Sequence, residues 1–319
     1  MIVSALLLTL VLAAQAPGGA PPAGAPAPDA LAIQVALDRA GFSPGALDGR
    51  MGAHTKKALD AYRKAHGGDP PAAEPLTRYR ITDEDAAGPF ERNIPKDLVE
   101  QSKLKTLGYR NLQEALAERF HTTPALLQQL NPQAKFVAGE EITVPNVEPM
   151  LVPAVMPKQE TKPTAADRKA QAAAAQEAAN AKPDVTVTVT KSTGALTVTD
   201  AAGRIVMYAP VTTGSEKDPL PVGKWKVNGV SMLPPFRYNP DLFWDADPSH
   251  TKALIPPGPN NPVGLVWVDL SKEHYGIHGT PEPTTIGRSE SHGCVRLTNW
   301  DALRLAGLVK PGTPVIFRP

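Results

Sequence analysis

Residues 184–319 alternate apolar and polar side chains with a period of two. Val185, Val187 and Val189 are separated by threonines. Further short apolar runs, bounded by Gly, Pro and Asn, lie at residues 196–199, 204–208, 265–270, 276–278 and 315–317. This alternation is typical of strands with one buried face. Helical spacing is confined to about residues 300–308, so the pattern predicts a mostly β domain.

Residues 29–68 instead carry apolar side chains at helical spacing. Asp29 is a suitable N-cap for a first helix that ends at Gly41, and a second helix is predicted from about Thr55. The apolar positions of the two helices are Leu31, Val35, Leu37, Ala58, Leu59 and Tyr62. The segment therefore predicts a small helical unit with a glycine-rich turn between its helices.

A second small unit is predicted at residues 104–147. Residues 112–120 form an amphipathic helix, and Thr123 caps a short helix at 124–130. Residues 141–145 read as a strand. The unit is therefore α+β.

Segments of low apolar content separate these units. They are a flexible leader at 17–28, an irregular linker at 69–103 and a Pro/Ala-rich linker at 148–183 that includes an Ala-rich helix. The chain has 35 prolines and 5% aromatic residues, which favours several small domains over one large core. The net charge of +1 gives no reason to expect nucleic acid as a partner.

Residues 1–16 resemble a secretory signal peptide. Ile2–Leu12 are almost wholly apolar, and Ala14-Gln15-Ala16 has the small-x-small form of a cleavage site. Retention as an anchor and a buried helix are the alternatives. The segment predicts a secreted or periplasmic protein associated with the cell envelope.

Cys294 is the only cysteine, and its neighbours suit catalysis. It follows Ser291-His292-Gly293, and His278-Gly279 lies upstream. A thiol nucleophile needs a base, a group that orients the base, and donors for an oxyanion. A structural cysteine would have apolar neighbours instead, so we interpret Cys294 as a nucleophile.

Zinc is the main chemical alternative at this motif. His274, His278, His292 and Cys294 are four potential ligands. Their spacing is not that of a usual zinc knuckle, in which cysteines are separated by two to four residues. The sequence therefore predicts neither a metal nor a cofactor.

Two resemblances concern the N-terminal units. Residues 29–68 resemble the peptidoglycan-binding-domain-1 family through Gly41, the turn from Pro44 to Gly52 and Thr55. Residues 104–147 resemble a divergent LysM module through Thr123-x-x-x-Leu127-x-x-x-Asn131-Pro132 and Gly139-x-x-Ile142-x-Val144-Pro145. Its first strand is poorly represented, near Leu107-Gly108-Tyr109. The resemblances imply binding to peptidoglycan, and a purely structural role is the alternative.

Residues 184–318 resemble the catalytic domain of L,D-transpeptidases, the YkuD family. The resemblance is carried by His278-Gly279-Thr280 and by Ser291-His292-Gly293-Cys294-Val295-Arg296. It implies a β-sandwich catalytic domain C-terminal to the helical and LysM-like domains. It also implies that Cys294 is the nucleophile and His278 the general base.

The same resemblance implies roles for further residues. The Gly279 carbonyl orients the imidazole of His278, a role also assigned to Ser291. His292 and Gly293 shape the site and its oxyanion donors. Arg296 binds a substrate carboxylate or forms a structural ion pair, and Phe236 and Tyr238 contact the substrate.

The implied reaction is acyl transfer on peptidoglycan. Cys294 attacks the amide between the third stem residue and D-Ala, and a stem amine resolves the thioester into a 3→3 cross-link. Water or an envelope protein is the alternative acceptor, and a protein that only binds the wall is a non-enzymatic alternative. Because a thiolate of this kind opens strained β-lactams, we also expect carbapenems to acylate Cys294.

Overall fold

The computed structural model of the chain describes residues 28–152 and 181–319. The predicted signal segment, the leader up to residue 27 and residues 153–180 of the predicted linker lie outside the described residues. No helix within the two described ranges is long and apolar enough to cross a membrane.

Two helices joined by a glycine-rich loop open the described chain. Helix α1 spans Pro28–Arg39 and helix α2 spans Ala53–His66. Gly41 has φ +82°, a left-handed conformation that favours glycine and ends α1. Gln34 holds the loop, because its amide nitrogen donates to Asp48 at 2.9 Å and its amide oxygen accepts from the Gly49 backbone at 2.9 Å. The polar groups of the loop therefore form hydrogen bonds with the neighbouring helix α1.

The next unit is a two-stranded sheet with helices inserted between its strands. Its elements are β1 (Leu76–Arg80), α3 (Asp83–Ala87), α4 (Leu98–Gln101), α5 (Leu112–Arg119), α6 (Pro124–Leu130) and β2 (Glu141–Pro145). Strands β1 and β2 are antiparallel, with Tyr79 opposite Ile142. The first strand was expected near Leu107-Gly108-Tyr109, inside residues 104–147. That expectation was wrong, because β1 comes from the segment 69–103 that was expected to be irregular.

The two N-terminal units share one apolar core. Leu31 and Val35 of α1 are buried in the same cluster as Leu116 of α5, Leu127 of α6 and Ile142 of β2. Since the core is continuous, the helical pair and the β1–β2 unit pack as one body rather than as separate modules. This body, residues 28–152, is called the N-terminal body below.

One curled sheet of eight strands organises residues 181–319. The strands are β3 (Val185–Thr190), β4 (Ala195–Asp200), β5 (Ile205–Pro210), β6 (Gly223–Met232), β9 (Val266–Leu270), β10 (Gly276–His278), β11 (Val295–Arg296) and β12 (Pro314–Arg318). Their order is β11-β10-β9-β6-β12-β3-β4-β5. The valines of β3 are buried and its threonines half-buried, as the alternation predicts.

The expected β-sandwich is instead a single sheet, because β6 runs through both of its halves. Residues 223–226 of β6 pair with β12, and its later residues pair with β9. The register shifts between Val227 and Gly229, and a bulge of this kind bends a strand. Helix α7 (Asn299–Leu308) buries Trp300 and Leu305 in the core that the curled sheet surrounds.

A small antiparallel hairpin stands beside the sheet. It consists of β7 (Phe236–Tyr238), a 3₁₀ turn at Pro240–Leu242 and β8 (Ala253–Ile255). Residues 236–255 are called the cleft hairpin below. One side of the hairpin packs on the N-terminal body, since Tyr238 and Ile255 share an apolar cluster with Leu107.

The N-terminal body is joined to the sheet domain by backbone and by buried charge. The Ser43 amide donates to the Tyr208 carbonyl at 2.8 Å, which covers the edge strand β5. Asp38 is fully buried and accepts from His121 Nδ1 at 3.1 Å and from Arg304 Nη2 at 3.2 Å. Burial acts to raise the pKa of Asp38, but His121 and Arg304 outweigh it and lower that pKa to about 2.

We expect Asp38→Ala to lower the free energy of unfolding by about 3–5 kcal/mol, because it removes the buried carboxylate that both His121 and Arg304 contact. Asp60→Ala is the matched control, since Asp60 is an exposed aspartate on α2. Its expected effect is within about 0.5 kcal/mol. Urea unfolding followed by tryptophan fluorescence measures both. Equal losses in the two variants would contradict a structural role for the buried cluster.

Candidate active site

A cleft of about 1220 Å³ lies between the sheet edge and the cleft hairpin. Cys294, His278 and Arg296 line one wall, and Phe243 of the hairpin and Leu98 of α4 line others. The cleft is therefore formed by both the sheet domain and the N-terminal body. It brings together residues that are 16 positions apart in sequence.

Strand pairing places His278 and Cys294 on neighbouring strands. Strands β10 and β11 are parallel, with Ile277 opposite Val295 and His278 opposite Arg296. Cys294 directly precedes β11, so it lies one residue pair before Ile277–Val295. Side chains two positions apart share a face of a strand, so His278, Cys294 and Arg296 face the same cleft.

His278 is buried and its ring is held on two sides. Its Nδ1 lies 2.7 Å from the Gly279 carbonyl oxygen, and because a carbonyl only accepts, Nδ1 carries the proton and Nε2 is left with its lone pair. Trp267, directly opposite on β9, stacks on the imidazole with ring centroids 5.4 Å apart. Burial and then the nearby Arg296 charge lower the pKa of His278 to about 3. The ring is therefore neutral at neutral pH.

Cys294 is half-buried at the end of a tight loop. Burial raises the pKa of its thiol, and the Gly276 backbone amide and Arg296 oppose that rise. The resting pair is thus a neutral thiol and a neutral imidazole. Neither the Gly293 nor the Cys294 backbone amide donates to another group in the ranges that the structure describes. These two N–H groups are available as oxyanion donors.

Ser291 and Gly293 determine the shape of this loop. The Ser291 hydroxyl donates to the Cys294 carbonyl at 2.5 Å, so in this structure Ser291 braces the loop before Cys294 while the Gly279 carbonyl contacts His278. Gly293 has φ +97°, and a Cβ there would lie 2.7 Å from the Tyr275 ring. Both its conformation and its close packing require glycine.

His292 connects the loop to the cleft hairpin. Its Nε2 donates to Asp245 Oδ1 at 2.7 Å, and its ring packs edge-on against Phe243 at 4.9 Å. His292 therefore shapes the cleft wall, and its contacts are with the hairpin.

Arg296 extends from the cleft wall beside His278. Its guanidinium Nη1 donates to the Glu290 carbonyl at 3.4 Å. Among the ion pairs of residues 28–152 and 181–319, none includes Arg296. A structural ion pair, one of the two expected roles, is thus not present in the described chain. The guanidinium is available for a carboxylate.

Phe236 and Tyr238 both line the cleft, but the Tyr238 hydroxyl is already hydrogen-bonded within the protein. Its hydroxyl lies 2.9 Å from His250 Nδ1, and His250 Nε2 lies 2.9 Å from Asp97 of the N-terminal body. In this arrangement the Tyr238 hydroxyl anchors the cleft hairpin, and Phe236 packs beside it with ring centroids 6.4 Å apart. Neither contact was expected from sequence.

The four potential zinc ligands do not form a cluster. His274 has φ +65° and is exposed, with Nε2 3.4 Å from Glu273. The Cys294 thiol lies 3.8 Å from the His274 backbone carbonyl rather than from its ring. Within the described residues, no group of three or more His, Cys, Asp or Glu side chains is arranged to hold a metal ion.

Sequence reasoning missed the residues that pack around His278 and Gly279. Trp267 occupies a half-buried position of β9, which by alternation reads as an ordinary outward position. A tryptophan at such a position in a strand next to the histidine strand was the available signal. Asn299 follows the N-cap Thr298 and reads as a first-turn helix residue, yet it is fully buried behind Gly279. Nothing in its local sequence indicates that position.

Residues 184–317 match the family model YkuD, L,D-transpeptidase catalytic domain. A Bacillus licheniformis protein named "Putative L,D-transpeptidase YkuD" is 51% identical over 63 residues, which are 20% of this chain and 38% of that protein. The "Probable L,D-transpeptidase YbiS" of Escherichia coli K12 is 46% identical over 65 residues, 20% of this chain and 21% of that protein. The matches thus span well under half of these relatives. A solved Mycobacterium smegmatis L,D-transpeptidase aligns with a TM-score of 0.36 and 20% identity, over 43% of this chain and 59% of that one.

Proposed function

We propose that this chain, whose residues 184–317 match the L,D-transpeptidase catalytic domain, is a cell-wall L,D-transpeptidase. The observation that carries the proposal is the pairing in one cleft of the lone thiol, Cys294, with a buried neutral histidine whose Nδ1 is held by the Gly279 carbonyl. A neutral imidazole with a free Nε2 is the form that accepts a proton from a thiol.

The first half of the reaction forms a thioester. His278 Nε2 accepts the thiol proton while Cys294 Sγ attacks the carbonyl carbon of the amide between the third stem residue and D-Ala. The Gly293 and Cys294 amides receive the oxyanion, and Arg296 binds a stem carboxylate. As the C–N bond breaks, the imidazolium returns the proton to the D-Ala amine, which leaves.

The second half transfers the acyl group. A neutral side-chain amine of a second stem attacks the thioester carbon, and His278 takes a proton from that amine. The C–S bond breaks, the thiolate regains the proton, and a 3→3 cross-link is formed. The atoms balance with no cofactor.

The N-terminal body supports peptidoglycan as the substrate. Strand β1 pairs with β2 on either side of helices α5 and α6, an arrangement consistent with the LysM-like resemblance, and Gln34 bonds Thr55 in the loop that resembles the peptidoglycan-binding-domain-1 family. Within this proposal the body holds the wall close to the cleft, and the chain acts outside the cytoplasm in the cell envelope.

The purified full chain is tested on disaccharide-tetrapeptides, with products separated and weighed by mass spectrometry. Release of D-Ala together with a dimer of two monomers less one free alanine is the expected result. D-Ala with only tripeptide monomers would make water the acceptor and the enzyme a carboxypeptidase. No D-Ala release at all would overturn the proposal.

A further inference from the structure

The N-terminal body contributes a buried carboxylate that reaches the back of the candidate active site. Glu118 of α5 is 7% exposed, and its Oε1 accepts from Asn299 Nδ2 at 2.9 Å. Asn299 belongs to α7, so this bond crosses from one body to the other. Glu118 does not line the cleft itself.

Asn299 in turn packs against the loop that holds the catalytic base. Its Oδ1 accepts from the Leu265 amide at 3.0 Å. A Cβ added to Gly279 would lie 2.1 Å from that oxygen, and so would a Cβ added to Gly264. The amide oxygen therefore lies directly against the backbone of Gly279, whose carbonyl orients His278.

Glu118 also contributes to the orientation of the Asn299 amide, together with the Pro259 carbonyl and the Leu265 amide. The Asn299 NH₂ group donates to Glu118 Oε1 and to the Pro259 carbonyl, which lies 3.2 Å away and can only accept. The oxygen then faces Leu265 and Gly279. Without Glu118, the NH₂ group loses one of its two acceptors, and the rotation of the amide is less well determined.

We propose that Glu118 is a positioning residue for catalysis, which acts through Asn299 on Gly279 and so on the imidazole of His278. In this proposal the N-terminal body helps to orient His278 as well as to bind peptidoglycan. This inference rests on the proposed function of Cys294 and His278. The charged and titratable groups around Glu118 are Tyr109 and Glu114, and burial raises the pKa of Glu118 to about 7.

A matched pair of variants tests the proposal. Glu118→Met keeps the side-chain length without a carboxylate acceptor, and Glu118→Gln restores an acceptor for Asn299. We expect Glu118→Met to lower kcat for D-Ala release roughly 10- to 100-fold with KM within about twofold, because small displacements of a catalytic group cost that much. Glu118→Gln should recover most of the rate. Gln113→Ala is the control, since Gln113 lies on the same helix and bonds only within the N-terminal body.

A double variant separates positioning from packing. If Glu118 acts through Asn299, Glu118→Met should add little to the loss in Asn299→Ala, whereas independent effects would multiply. Unfolding midpoints establish that each variant is folded. An unchanged kcat in folded Glu118→Met, an equal loss in Glu118→Gln, or multiplying effects would each overturn the proposal.

A second assay distinguishes failure of the positioning role of Glu118 from failure of the proposed function. We expect the rate at which imipenem acylates Cys294 to depend on the thiol and His278 but not on the natural substrate. If the native chain reacts with imipenem but releases no D-Ala, the proposed function fails and the Glu118 effect is still measured. If His278→Gln slows acylation and Glu118→Met does not, only the positioning role fails.

Discussion

Cys294→Ala is expected to abolish D-Ala release, a loss of more than about 10³-fold. Cys294 is the only cysteine in the full sequence, so no second thiol can replace it. Imipenem should add its mass to the native chain and not to the variant, because the strained β-lactam is opened by the thiol. Intact-mass spectrometry measures the adduct, and product analysis of disaccharide-tetrapeptides measures the rate.

The control for this variant is its fold. Cys294 is half-buried and ends a loop braced by Ser291, so removing one sulfur should change the unfolding midpoint little. Ser291→Ala is a useful companion, since it removes the brace and leaves the thiol. A folded Cys294→Ala that releases D-Ala at the native rate would rule out the proposed mechanism.

His278→Gln is expected to reduce kcat/KM about 10²- to 10⁴-fold, the usual contribution of a general base. Glutamine fills much of the same space against Trp267 but cannot take the thiol proton. The loss should appear both in D-Ala release and in acylation by imipenem, because the same proton transfer starts both reactions. A loss in only one of the two assays would contradict His278 as the base for the thiol.

The acid limb of the native rate tests the environment of His278. Its pKa is lowered to about 3 by burial and Arg296, so the neutral, active form persists as the pH falls and is lost only near pH 3. We therefore expect kcat/KM to change less than about twofold between pH 6 and pH 5. An ordinary histidine, with a pKa of about 6.5, would lose about eightfold over that interval. A loss of that size would contradict a buried base.

The strands of the C-terminal domain were largely predictable because their burial is a local matter. Val185, Val187 and Val189 face the core in β3, and their alternation with threonine already indicates one buried face. Helices α6 and α7 were indicated in the same way by the capping residue Thr123 and by the run that ends at Leu308. In each case the same residues that form the element also bury it.

Elements whose burial depends on distant partners were missed. Strand β6 has mostly exposed or half-buried side chains, and its alternation stops at the bulge after Val227, yet it connects both halves of the sheet. Strand β1 is polar, and it is stabilised by pairing with β2, over 60 residues away. Pairing of this kind leaves no periodic signal in the strand itself.

The sequence by itself identified the candidate chemical groups of this protein. A lone cysteine after Ser291-His292-Gly293 and a histidine before Gly279 specify a thiol, a base and a backbone carbonyl, because these depend on residue types and short spacings. The tertiary structure decided the rest. It determined the neutral state of His278, the occupation of Tyr238 by His250, and the line from Glu118 through Asn299 to Gly279. Burial and contacts between residues far apart in the chain arise only when the N-terminal body and the curled sheet pack together.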